Sequence, residues 1–133
     1  MNVLVNIDVE DLEKGARFYS EALGLRVGRR FDGAVELLGT DAPIYLLEKA
    51  AGTRAFSGGG KRSYARHWTP VHLDFAVSDL PRAVARAKAA GALLEEDVEA
   101  KAWGRIAMLS DPFGNGFCLL EFTGRGYDEI AVS

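Results

Sequence analysis

The sequence predicts an α+β fold made of two βαβββ modules, and three observations carry that prediction. Val71 to Asp79 alternates apolar and polar residues as a strand does and ends in a helix-capping Asp. The same pattern stands 68 positions earlier, where Val9-Glu10-Asp11-Leu12 matches Val77-Ser78-Asp79-Leu80. A second match, Leu46-Leu47-Glu48 with Leu119-Leu120-Glu121 at an offset of 73, follows in the same order and argues for internal duplication.

In the first unit, Val3 to Val9 alternates as a strand, with Leu4, Asn6 and Asp8 on one face. Asp11 then caps a helix whose apolar stripe is Leu12, Ala16, Tyr19 and Leu23, and Gly24 ends it. Three short strands follow: Leu25 to Phe31, Val35 to Leu38 and Ile44 to Glu48, parted by Asp32-Gly33 and by Gly39 to Pro43. In the second unit, Asp79 starts a helix with Leu80, Val84 and Ala87 on one stripe and Gly91 as its stop. Strands are expected near Ala92 to Val98, Trp103 to Leu109 and Gly116 to Phe122. The chain thus divides into module one (1–49), a linker or mobile flap (50–69), module two (70–123) and a tail (124–133). In the tail, Tyr127 and Ile130 are expected to dock on a neighbour.

At 133 residues the chain is one domain by length and needs no metal or disulfide merely to fold. Its net charge of −3, from 16 basic and 19 acidic residues spread along the chain, offers no basic stripe for nucleic acid. The single cysteine, Cys118, rules out a disulfide framework and reads as a packing residue on the helix side of its strand. No apolar run approaches the ~20 residues of a membrane span, so neither a membrane nor a nucleic acid is an expected partner, and a cytoplasmic location is the default. The run Gly58-Gly59-Gly60-Lys61-Arg62 lacks the spacing, the Ser or Thr and the following helix of a phosphate-binding loop.

If each helix covers one face of its sheet, the opposite faces can form a cup. Alternation from Val71, Leu73, Phe75 and Val77 as the covered face puts His72 in the cup, together with Asp74. The same reasoning places Ile44, Leu46 and Glu48 inward from one strand, and Phe117, Leu119 and Glu121 from another. Trp103 and Arg105 fall inward opposite Ile106 and Met108, where an Arg beside an aromatic suits a planar or anionic ligand. His67, in the linker, reads as a solvated residue or as a ligand or proton carrier brought in by a closing flap.

The chain resembles the vicinal oxygen chelate superfamily, which includes glyoxalase I, bleomycin-resistance proteins and extradiol dioxygenases. The resemblance rests on Val9 to Leu12, Phe18-Tyr19, Leu23-Gly24-Leu25, His72 to Val77 with Asp79-Leu80, Trp103-Gly104-Arg105, and Asp111 to Gly116 leading to Leu120-Glu121-Phe122. It implies a metal site drawn from the first and last strands of each module, which here falls on Leu4, Glu48, His72 and Glu121. Leu4 carries no ligand atom, which departs from the His or Gln of glyoxalase I. His72, Glu48 and Glu121 remain as ligands for a divalent Mn, Fe, Ni, Zn or Mg, with Asn6 as a further oxygen donor. Glu48 and Glu121 are the catalytic candidates, and Trp103, Arg105 and Asn6 the substrate-binding ones. The resemblance further implies a homodimer acting on a small oxygenated metabolite by lyase, isomerase or dioxygenase chemistry. The alternative is a metal-free protein that binds a drug or toxin in the cup, which Leu4 and the apolar inner positions favour.

Overall fold

The computed structural model describes residues 1–133 and holds two four-stranded mixed sheets, each with one helix. The first sheet contains β1 (Val5–Val9), β2 (Arg26–Phe31), β3 (Ala34–Leu38) and β4 (Ile44–Glu48), in the spatial order β1-β4-β3-β2. The second contains β5 (Leu73–Ala76), β6 (Leu93–Lys101), β7 (Gly104–Ser110) and β8 (Gly116–Phe122), in the order β5-β8-β7-β6. Each module therefore repeats one topology, with its first strand parallel to its last and the others antiparallel.

Both helices begin and end where their caps dictate. Asp11 accepts from the backbone N–H of Lys14 at 2.9 Å to open α1 (Leu12–Leu23), and Gly24 closes it in the left-handed region. Asp79 and Gly91 do the same for α2 (Leu80–Ala90). The helices pack on each other, and one core runs through both modules, from Val9, Phe18, Ile44 and Leu46 to Leu80, Leu109, Phe117 and Leu119. No helix is long and apolar enough to cross a membrane.

Three expectations of facing and position need correction. Ile44 and Leu46 point to the helices, not into a cup, and Glu48 shares their face. Phe117 and Leu119 likewise cover the helix side, which turns Cys118 to the opposite face, beside its register partner Asp74. Both strands are apolar on both faces, so they carry no alternation from which parity can be read. Val71 lies outside β5, which starts at Leu73, and is 75% exposed. In the tail, a short 3₁₀ turn (Gly126–Glu129) lays Tyr127 against Trp103 and Phe122 of its own chain, at ring separations of 5.3 and 4.8 Å. That docking lies within the chain, and it leaves Tyr127 and Ile130 about half exposed.

The two modules are joined by a buried acid. Asp111, in the β7–β8 turn, accepts the hydroxyl of Tyr19 from α1 at 2.5 Å. It also accepts the backbone N–H groups of Phe113 and Asn115 at 2.8 and 3.0 Å, and the Asn115 side-chain amide at 2.9 Å. Burial and the adjacent Asp111 push the Tyr19 hydroxyl well above its ordinary pKa, so it stays a donor. Tyr19→Phe removes one of these donors from a buried carboxylate and is expected to cost about 1–3 kcal/mol of stability, read from the midpoint of denaturant unfolding.

Candidate functional site

A cavity of about 690 Å³ opens between β1 and β5, the edge strands of the two sheets. Its apolar wall comes from Val5 and Ile7 on one edge and Leu73, Phe75 and Phe117 on the other side. Asn6, Asp8 and His72 supply polar groups from the same strands and their flanks. A volume of this size with a mostly apolar wall and a few polar groups is typical of a small-molecule site.

The remaining wall is the 50–69 connection, which is held down at several points. Arg62 pairs with Asp8 at 2.7 Å, and Tyr64 donates to the Lys49 carbonyl at 2.6 Å. The His67 backbone N–H donates to the Gly114 carbonyl, and Arg66 pairs with Glu95 at 2.6 Å, holding that carboxyl below its usual range. Gly114 has φ +79°, and a Cβ there would lie 2.4 Å from the Ala65 carbonyl oxygen. The turn and the connection therefore touch closely enough to need glycine.

His72, Glu48 and Glu121, the expected metal ligands, stand with different partners. Glu48 accepts the Leu12 backbone N–H at 2.9 Å and completes the cap of α1, where a carboxylate also meets the positive end of the helix dipole. Glu121 is held by its register partner Arg105, whose Nε lies 2.9 Å from the carboxylate. Neither acid belongs to the group around His72. There the ligating atoms of His72, Asp74 and Cys118 lie within 4.8 Å of one another, and His72 Nε2 is 3.1 Å from Asp74 Oδ1. Alternation places His72 and Asp74 on one face; the inverted parity of β8 hides Cys118. Burial, followed by Asp74, pushes the Cys118 thiol up to about 11.

Of the residues expected to bind substrate, Asn6 lies in the cavity wall. Trp103 packs on Tyr127 and Phe122 instead, and Arg105 is engaged with Glu121. His67 does reach the cavity, with Nδ1 2.9 Å from the Ala65 carbonyl and Nε2 2.9 Å from Asn115 Oδ1. In module one, sequence reading missed Glu36, a buried acid gripped by Arg29 at 2.6 Å and by the Tyr45 hydroxyl at 3.0 Å. The available signal was Arg29 on the neighbouring strand of the same hairpin.

Comparison with known proteins adds a family. A family model described as Glyoxalase-like domain matches residues 4–120. No curated protein matches. Among solved structures, the genomically encoded fosfomycin resistance protein FosX of Listeria monocytogenes superposes with a TM-score of 0.74 at 17% identity, covering 98% of each chain. A hypothetical protein, SA1046, of S. aureus gives a TM-score of 0.69 at 23% identity over 91% of this chain and 96% of that one. A glyoxalase/bleomycin resistance protein of Albidiferax ferrireducens gives 0.67 at 23% identity over 90% and 96%. A point mutant of the same FosX, with a TM-score of 0.68 at 18% identity over 90% of this chain and 88% of that one, was solved with Mn(II) and 1S,2S-dihydroxypropylphosphonic acid. At these identities the superpositions establish a shared fold.

The hydrogen bonds from Arg29 hold the Glu36 carboxyl at about 2, below its ordinary 4.5. A lowered folded-state pKa contributes stability above pH 4.5 that is lost as pH falls towards about 2. Glu36→Gln is therefore expected to be less stable than the parent near neutrality, with the gap closing across that interval in pH-dependent urea titrations.

Proposed function

The chain belongs to the glyoxalase-like family, and from that membership we propose that it is a small-molecule binding protein of the bleomycin-resistance type. Its ligand occupies the cavity between β1 and β5. One observation carries the reading: about 690 Å³ of space with an apolar wall, closed on one side by a connection tied to both modules. The fate of the two expected acids supports it, because Glu48 and Glu121 already serve a helix end and an arginine. Binding here needs no group beyond what the wall supplies: apolar contact from Val5, Ile7, Phe75 and Phe117, and orientation by Asn6 and His72.

A second reading has its own observation, the His72, Asp74 and Cys118 group. An imidazole, a carboxylate and a thiol suit a borderline ion such as zinc better than magnesium or calcium, which favour oxygen donors. Such an ion would supply Lewis-acid polarisation of a ligand oxygen. The three side chains would hold it, with the Cys118 thiol giving up the proton that burial now favours.

N-phenyl-1-naphthylamine fluorescence separates the two. The expected result is saturable binding that Val5→Trp, which fills the cavity, weakens at least about tenfold, and that EDTA treatment changes by less than about twofold. Binding indifferent to Val5→Trp overturns the cavity reading. Binding lost to EDTA and restored by Zn²⁺ replaces it with the metal reading.

We further propose that the chain acts as a homodimer, the commonest closed assembly. Large apolar side chains left exposed just before the two edge strands, Val3, Leu4 and Val71, support this, with Trp68 nearby in sequence at 81% exposure. Light scattering after size exclusion is expected to give twice the mass of 14.4 kDa, falling towards that mass in Leu4→Asp/Val71→Asp.

A further inference from the structure

We infer that the cavity selects a ligand with an apolar body and one anionic group, a carboxylate for preference, because His67 stands in its wall locked as an imidazolium. The inference rests on the cavity being the binding site. It adds the charge of what binds there.

The lock follows from donors and acceptors. Asn115 Nδ2 donates to Asp111 Oδ2 at 2.9 Å and reaches the Asp8 carbonyl at 3.4 Å. Turning that amide over would set Oδ1 against the Asp111 carboxylate, so Oδ1 must face His67. Oδ1 only accepts, and His67 Nε2, 2.9 Å away, must therefore donate. The Ala65 carbonyl also only accepts, and Nδ1 at 2.9 Å must donate to it. A ring that donates from both nitrogens carries a positive charge.

The groups around the ring are consistent with that charge. Asp111 is the acid reached through Asn115, and its four hydrogen bonds all come from donors. Asp8 is paired with Arg62, while Arg66, whose guanidinium meets the His67 carbonyl, is paired with Glu95. Tyr19 and Tyr64 are neutral donors. His72, across the cavity, is matched by Asp74. Lys61 in the same wall has no carboxylate within ion-pairing distance. The connection thus presents Lys61, Arg62 and His67 to the cavity against Asp8 alone, opposite the apolar face of Val5, Ile7, Leu73, Phe75 and Phe117. An amphipathic anion meets both sides; a cation meets neither.

Two probes of one shape test this: 2-naphthoate and 2-naphthamide, titrated calorimetrically against the protein and its variants. The readout is the ratio of their affinities. The expected ratio is about tenfold in favour of the carboxylate. His67→Gln keeps a donor towards Asn115 while removing the charge, and is expected to bring the ratio below about threefold. Lys61→Gln is expected to lower the ratio as well. Equal binding of the two probes, or a ratio unmoved by His67→Gln, overturns the charge assignment and leaves the cavity as the site. Failure of both probes to bind overturns the cavity reading as well.

Discussion

The buried carboxylate of Asp111 is the contact on which the arrangement of this protein depends. An acid removed from water is tolerable only if donors replace its hydration, and here four of them do. They come from different places: the Tyr19 hydroxyl from the helix of module one, two backbone groups and an amide from the β7–β8 turn of module two. The amide then passes the connection on to β1 through the Asp8 carbonyl and to the intermodule segment through His67. Core packing brings the helices together, but it is non-directional. The hydrogen bonds to Asp111 are directional, and they set how one half meets the other along the cavity.

The elements were legible in the sequence wherever one face is polar. Asp11 and Gly24, and Asp79 and Gly91, bracket their helices as read, and every strand was found within a few residues. The duplication was visible because its signature, an apolar residue two before a capping Asp, is local. What could not be read was parity in β4 and β8, where apolar side chains fill both faces and alternation vanishes. With that one inversion Glu48 is found at the start of α1, Glu121 against Arg105, and Cys118 beside His72 and Asp74.

The 50–69 connection shows a different limit. Its glycines suggested a linker or a mobile flap, and nothing in them foretold the side-chain partners that lie far away in the chain: Asp8 for Arg62, Glu95 for Arg66, Asn115 for His67. Local composition reports backbone freedom. It does not report where long basic side chains will find their acids, which is a property of the assembled fold. Asp111 was legible only as a turn residue for the same reason, since its partner Tyr19 is 92 positions away.

Glu48 and Glu121 occupy equivalent places in the two repeats, 73 positions apart, yet one closes the start of α1 and the other braces β7 through Arg105. The halves have thus ceased to be exchangeable parts. Each acid keeps its client within its own half, Leu12 with Glu48 and Arg105 with Glu121, so two copies of either half would satisfy every such acid but would lose the other half's use of that position.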